Sequence, residues 1–205
     1  GLAKIIRERG SRLAAVVMEP CRNNDPEPGF LEFVREETRK IGALLIFDEI
    51  TIGLRLHHGG AHLRFGIEPD MALFAKSLGN GHPIAAVIGT DDAMEGANGS
   101  FISSSYWTEA VGPAAGCATL EKLAAIDAVG TVARQGARLQ KILRDAAAKH
   151  KLAVTVKGYP CMPSFSFDHP DANAIKTLYI QNMLEREFLT GLLTFVTVAH
   201  TDAVL

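Results

Sequence analysis

The chain has 205 residues, of which 47% are hydrophobic, and its formal net charge is -2. A chain of this length and composition can bury a sizeable core as one large domain or one and a half. Its 21 Lys and Arg residues face 23 Asp and Glu residues without a basic run, which argues against nucleic acid or an anionic membrane surface as a partner. No apolar stretch approaches the roughly 20 residues that span a bilayer. Three scattered cysteines without metal-type spacing predict a reducing, cytoplasmic setting.

The two ends of the sequence predict an internal fragment of a longer protein. Residues 1–8 have the character of a helix already under way, and Thr201–Asp202 would cap a helix that never develops. An initiator methionine and a targeting segment are both missing.

The first 90 residues predict alternating strands and helices. Strands are expected over 13–18, 43–47, 71–75 and 84–88, and a helix over 30–41 that ends at Gly42. Short unbroken apolar runs between polar or glycine residues suit strands that are buried on both faces of a parallel sheet. Strand, helix and strand in this order predict right-handed crossovers and a layered α/β domain.

The rest of the chain predicts two long helices and then a smaller α+β region. The helices are expected over 107–126 and 132–150, with Gly130 at the break between them. Strands are expected over 152–156, 164–167 and 192–198, and a further helix over 172–188. We therefore assign 1–150 to part of a large domain with its linking helix, and 151–205 to part of a small C-terminal domain.

Two apolar runs each end at a charged residue. Asp48 follows the run 43–47 and Lys76 follows the run 71–75. Ligands of parallel sheets bind outside the carboxyl ends of the strands, where both residues are expected. A lysine that leaves a dry strand can lose its charge by desolvation and become an amine nucleophile, and a fixed carboxylate suits the ring nitrogen of a pyridine cofactor. Alone, Asp48 could be a strand-end cap and Lys76 a lysine extending from the sheet edge; together they favour pyridoxal phosphate chemistry.

Other polar residues nearby have more ordinary interpretations. His57, His58 and His62 do not have the spacing of a helical ligand set, and a pair of glycines interrupts them, so we expect no metal site. We expect Glu49 to orient the loop after the second strand. Arg55 could meet a substrate carboxylate, although a structural salt bridge is the favoured role.

Several ordered segments resemble the class III pyridoxal-phosphate aminotransferases. They are Leu45–Ile50, Gly53–Arg55 and Pro69–Gly81, and with Glu19–Pro20 and Pro28–Leu31 the chain is most similar to the glutamate-1-semialdehyde aminomutase branch. The resemblance implies the fold type I architecture, a central mainly parallel sheet flanked by helices with a smaller C-terminal α+β domain. It also implies pyridoxal 5'-phosphate as cofactor, a homodimer with a shared active site, and a small-molecule amino donor and carbonyl acceptor as substrates.

The resemblance further implies a role for each matching residue. Lys76 would form a Schiff base with the cofactor and move the substrate proton, Asp48 would pair with the pyridinium nitrogen, and Ile50 would lie against one face of the ring. Ser105, with Ser104 beside it, would reach the cofactor phosphate of the neighbouring subunit. The residues after Ser105 depart from the family's Thr-x-Ser-Gly pattern, and the serines could instead be a polar helix entry. The family's glycine-rich phosphate cradle and ring-stacking aromatic residue lie upstream of the match.

The sequence therefore predicts transamination through Lys76. The alternatives are the aminomutase reaction, an intramolecular amino transfer, and a non-catalytic fragment that cannot complete the site. A cofactor-free lysine enzyme such as an aldolase would need Lys76 but not Asp48, and would favour an eightfold strand-helix repeat that is absent here.

Overall fold

A four-stranded sheet forms the centre of the first of two compact units in the computed structural model, which describes residues 1–205. This first unit is Gly1–Ile126 and the second is Asp127–Leu205. The strands lie in the order β1 (Ala15–Met18), β2 (Leu44–Asp48), β3 (Met71–Phe74) and β4 (Ala86–Gly89). The first three strands are parallel to one another, and β4 is antiparallel to β3. The predicted strand positions are thus confirmed to within a few residues.

The sheet is buried more completely on one face than on the other. Along β2, Leu45 and Phe47 are buried, whereas the alternate residues Leu44, Ile46 and Asp48 are half-buried. The same alternation occurs in β3. The expectation of strands buried on both faces is therefore wrong for this chain, which covers one face more fully than the other. It is also wrong for β4, where Val87 and Ile88 are about half exposed, at 48% and 53%.

Six helices belong to the first unit. They are α1 (Leu2–Arg9), α2 (Phe30–Ile41), α3 (Gly53–Leu56), α4 (Ala61–Phe65), α5 (Asp91–Asn98) and α6 (Val111–Ala125), with 3-10 turns at Gly10–Arg12 and Lys76–Leu78. The bounds of α2 are those predicted. Gly42 ends this helix because its left-handed backbone, with φ of 69°, lets its N–H reach the carbonyls of Arg39 and Thr38.

A partly buried ion pair holds α2 against the sheet. Arg35 Nη1 lies 2.8 Å from Asp70 Oδ2, and the same oxygen accepts the backbone N–H of Leu45 at 2.7 Å. The Arg35 residue is only 7% exposed. The Asp70 carboxylate therefore joins the start of β3 to both β2 and α2, beside a core cluster that contains Leu31, Val34, Leu45, Phe47 and Ile67.

The second unit contains α7 (Ala128–Lys149), α8 (Ala172–Leu184) and an antiparallel pair of strands, β5 (Val154–Lys157) and β6 (Ser164–Phe167). The third strand expected here, over 192–198, is wrong because only an isolated bridge from Leu193 to Ser164 forms. The predicted helix break at Gly130 is also wrong. The break lies at Asp127, whose side chain accepts the N–H of Gly130 and caps α7.

A close backbone approach fixes α7 in this unit. A Cβ atom added to Gly136 would lie 1.7 Å from the carbonyl oxygen of Pro160, so only glycine fits there. One turn further on, Gln140 Nε2 donates to the carbonyl of Gly158 at 2.8 Å. From the sequence we expected this helix to belong to the large domain, with a domain boundary near residue 150. That expectation stays a prediction about the whole protein.

None of the helices combines the length and apolarity required to cross a bilayer.

Candidate active site

Asp48 and Lys76 follow neighbouring parallel strands at the same edge of the sheet. Asp48 is the last residue of β2, and Lys76 comes two residues after the end of β3. Asp48 is paired with Leu73 in the β2–β3 register, and the next N–H along, that of Glu49, donates to the Leu73 carbonyl at 3.0 Å. The structure therefore brings both residues to the carboxyl-end edge of the parallel strands, which is where ligands of such sheets usually bind.

The Asp48 carboxylate is fixed at one oxygen only. Its Oδ1 accepts the N–H of Ile50 at 3.0 Å, the local turn that aspartate often forms with the backbone two residues on. No donor in the chain is hydrogen-bonded to Oδ2, and the residue is half-buried. Asp48 thus forms the local turn expected of an aspartate that only caps a strand. Its second carboxylate oxygen can still accept a hydrogen bond from a ligand.

Lys76 occupies an unusual backbone conformation and an exposed position. Its φ of 47° lies in the left-handed region, which is strained for a residue with a side chain. Its Nζ donates to the hydroxyl oxygen of Thr51 at 2.7 Å. Lys76 is exposed within this chain because it lies beyond the end of β3, in the 3-10 turn at the edge of the sheet, so its desolvation stays a prediction about the whole protein.

Thr51 is a member of the site that the sequence did not indicate. Besides accepting from Lys76, it offers its backbone carbonyl to Arg55 Nε at 2.9 Å. The only signal in the sequence was its position three residues after Asp48, within the same turn. Neither of the roles suggested for Arg55, a salt bridge or a contact with a substrate carboxylate, is tested by this contact.

Glu49 supports the loop after β2, as expected. Its side chain is completely buried. One carboxylate oxygen accepts the N–H of Ala61 at 2.7 Å, and the other accepts the N–H of His62 at 2.8 Å and lies 2.8 Å from His62 Nδ1. These contacts fasten the start of α4 to the end of β2, directly beside Asp48.

Two of the three histidines of this loop, His57 and His62, have local partners. His62 is held by Glu49, and His57 Nδ1 accepts the N–H of Gly59 at 3.1 Å. No group of three or more His, Cys, Asp or Glu residues is arranged to hold a metal ion.

The remaining predicted site residues are placed differently. Ile50 is half-buried in the turn after Asp48, whereas Ser104 and Ser105 are exposed and are not hydrogen-bonded to Asp48 or Lys76. Ser104 instead accepts the N–H of Tyr106 through its hydroxyl at 3.2 Å.

The helix expected to begin at Trp107 begins at Val111, four residues later. The Glu109 carboxylate accepts the N–H groups of Val111 and Gly112, which satisfies the donors of the first turn. The serines therefore lie in the loop before the helix, with Ser105 at the start of the turns over 105–108.

Comparison with known proteins supports the assignment of this fold. The family model for aminotransferase class-III matches residues 1–199. The glutamate-1-semialdehyde 2,1-aminomutase of Pyrobaculum arsenaticum is 38% identical over 175 residues, which are 82% of this chain and 41% of that protein. The 3-aminobutyryl-CoA aminotransferase of Cloacimonas acidaminovorans is 32% identical over 188 residues, or 86% of this chain and 44% of that protein. The chain thus spans less than half the length of these curated relatives.

Solved structures of transaminases have the same fold. The FumI protein of Sphingopyxis sp. MTA144, solved in its PLP internal aldimine form, matches with a TM-score of 0.92 at 26% identity, covering 99% of this chain and 51% of that one. The β-phenylalanine aminotransferase of Variovorax paradoxus matches with a TM-score of 0.83 at 26% identity, covering 99% of this chain and 52% of that one. These matches confirm the predicted fold type I architecture, of which this chain forms a part. The chain belongs to the aminotransferase class-III family.

Proposed function

We propose that the protein carrying this chain catalyses pyridoxal-phosphate-dependent transamination between a small-molecule amino donor and a carbonyl acceptor. The observation that carries the proposal is the placement of Asp48 and Lys76 after the ends of adjacent parallel strands in a class III chain. Pyridoxal phosphate, when bound, supplies an aldehyde that condenses with amines and a protonated ring that withdraws electrons from the reacting carbon.

The residues at this edge of the sheet fit that cofactor. The Ile50 N–H holds one oxygen of Asp48, and the other oxygen is open to accept a hydrogen bond from a ring N–H. Lys76 is hydrogen-bonded to a hydroxyl rather than a carboxylate, so its amine is not held in an ion pair.

Each residue then has a defined task. Lys76 Nζ would bind the cofactor covalently as a Schiff base, take the α-proton from the substrate and return it. Asp48 would keep the proton on the ring nitrogen, since a negative charge beside that nitrogen favours its charged form. Ile50 would lie against one face of the ring.

We also propose that the protein acts as a homodimer with a shared active site, in which Ser104 and Ser105 serve the cofactor phosphate of the neighbouring subunit. Large apolar side chains around these serines support an interface here. Phe101, Tyr106 and Trp107 are 97%, 79% and 68% exposed, and contiguous exposed apolar groups typically mark interaction surfaces. A cytoplasmic location is part of the same proposal, on the basis of the scattered cysteines.

The second candidate function is the aminomutase reaction, in which the amino group moves within one substrate. The curated relatives with this activity in their names favour it, at up to 38% identity. The departure of Tyr106–Glu109 from the family pattern favours a general aminotransferase instead. The two are separated by supplying glutamate-1-semialdehyde alone, because only the aminomutase needs no second substrate.

The proposed function is tested by adding pyridoxal phosphate to the intact protein and recording its visible absorption. We expect a yellow adduct that borohydride reduces and that peptide mapping assigns to Lys76. Lys76→Ala should abolish the adduct and the transamination, whereas Lys149→Ala, at an exposed residue of α7, should leave both unchanged. An intact protein that forms no reducible adduct on Lys76 would overturn the proposal and leave the non-catalytic alternative.

A further inference from the structure

We infer that Thr51 is a positioning residue that holds the amine of Lys76 for condensation with the cofactor aldehyde, an inference that rests on the proposed function. Lys76 is exposed and follows the end of its strand, so packing alone does not direct its long side chain. The one hydrogen bond of the Lys76 side chain runs from Nζ to Thr51 Oγ1 at 2.7 Å. It connects the turn after β3 to the turn after β2. Without that bond, the amine would sample many rotamers.

Thr51 is itself held firmly enough to act as an anchor. Its backbone carbonyl accepts from Arg55 Nε at 2.9 Å, and the carbonyl of Glu49, two residues earlier, accepts the N–H of Gly53 at 2.9 Å. Threonine is also restricted at χ1 because it is β-branched. The hydroxyl therefore has a defined direction within the turn that begins at Asp48.

The backbone of Lys76 points to the same role. Its left-handed φ of 47° costs energy for any residue other than glycine, and such strain persists where the surroundings impose it. The turn directs Nζ back towards the end of β2, where the Thr51 hydroxyl meets it. The strained backbone and the hydroxyl therefore bring the amine to the strand end that carries the Asp48 carboxylate.

The chemistry of a hydroxyl suits this task better than that of a carboxylate. A carboxylate in its place would hold the lysine as an ammonium ion, which has no lone pair for attack. A hydroxyl is neutral, so it accepts one N–H of Lys76 without adding a negative charge that would favour the ammonium form. When the neutral amine condenses with the aldehyde, a C=N bond would form and the aldehyde C=O bond would break. The oxygen would leave as one water molecule, whose two hydrogens balance those lost from the amine nitrogen.

The test compares Thr51→Val with Thr51→Ser in the intact protein, freed of cofactor. Valine keeps the shape of threonine without the hydroxyl, and serine keeps the hydroxyl without the methyl group. We measure the rate at which Lys76 captures pyridoxal phosphate, the final amount of borohydride-reducible adduct, and the urea unfolding midpoint. Thr51→Val should slow capture about three- to tenfold, the range expected for one neutral hydrogen bond, with little change in the final adduct. Thr51→Ser should restore the wild-type rate.

A second aldehyde, pyridoxal, distinguishes an effect of Thr51 on the position of the Lys76 amine from an effect on the cofactor phosphate. Pyridoxal lacks the phosphate, and we expect Thr51→Val to slow its capture by the same factor. A loss seen only with pyridoxal phosphate, a wild-type rate in Thr51→Val, or an equal loss in Thr51→Ser would each overturn the inference. Should Thr51→Val not fold, Thr51→Ala makes the same comparison. A wild-type protein that forms no adduct on Lys76 overturns the proposed function, whereas normal capture by both wild type and Thr51→Val overturns this inference alone.

Discussion

Replacing Glu49 by Gln should cost about 3 kcal/mol of unfolding free energy, although the two side chains have almost the same size. The Glu49 carboxylate is completely buried and meets three nitrogen donors at 2.7–2.8 Å, from Ala61 and twice from His62. A glutamine oxygen can replace one carboxylate oxygen, but its amide group then faces a backbone N–H, donor against donor. A charge-assisted hydrogen bond contributes about 1.5–3 kcal/mol, and a buried donor left without an acceptor costs about 1–3 kcal/mol.

The assay for this substitution is equilibrium urea unfolding of the intact protein, with midpoint and slope fitted for each variant. Glu121→Gln is the matched control, since it removes the same charge from an exposed position on α6 and should change stability by less than about 0.5 kcal/mol. A loss below about 1 kcal/mol in Glu49→Gln, with the slope unchanged, would refute the reasoning. It would mean that the loop after β2 rearranges to satisfy the displaced donors.

Three further predictions concern other parts of the chain. Asp70→Asn should destabilise by about 2–3 kcal/mol in urea unfolding, because the buried Arg35 guanidinium loses its carboxylate; a loss under about 1 kcal/mol would contradict this. Gly136→Ala should lower the thermal midpoint, since its Cβ would meet a backbone oxygen, whereas Gly96→Ala in α5, with open space around it, should stabilise by up to about 1 kcal/mol; equal effects would contradict the packing argument. Asp48→Asn should still turn yellow with pyridoxal phosphate, but its exchange of the substrate α-proton should fall about a hundredfold, a barrier increase of roughly 3 kcal/mol. Near-normal exchange would show that Asp48 is only a strand cap.

Local signals in the sequence were sufficient for some elements of the fold. The bounds of α2 follow from its apolar periodicity and from the glycine that ends it, and β6 (Ser164–Phe167) has the bounds expected from its pattern. In both elements the residues that define the ends lie next to the element itself. Contacts with distant parts of the chain were not needed to place them.

For other segments the prediction failed in part, because burial and pairing depend on distant parts of the chain. The apolar run 84–88 forms a strand, β4, close to the expected position, but β4 pairs antiparallel with β3 at the edge of the sheet and is largely exposed. The run 192–198 has strand composition and makes three backbone hydrogen bonds to residues 161–165, yet only one isolated bridge forms and no regular strand develops. An apolar pattern indicates that a segment can form a strand, while its pairing depends on whether the chain brings an unpaired edge to it.

The same distinction between local signals and distant contacts applies to the residues of the candidate site. The positions of Asp48 and Lys76 followed from a general rule for parallel sheets, because the ends of neighbouring strands must meet at one edge. The contact between Thr51 and Lys76 depends on the path of two turns that are 25 residues apart, and no periodicity encodes that path.

Asp48 and Glu49 are adjacent acids at one strand end, and the sequence offers little to decide which of them serves a ligand. Successive side chains along a strand point to opposite faces, so one carboxylate can face the open edge while the other faces the interior. The donors around each side chain separate them. Glu49 is completely buried and both of its oxygens accept hydrogen bonds from the chain, whereas Asp48 is half-buried and only one of its oxygens does. A carboxylate already satisfied by the protein has little to offer a cofactor. The unequal supply of donors therefore favours Asp48 as the partner of the ring nitrogen, and Glu49 as the residue that keeps the turn beneath it in place.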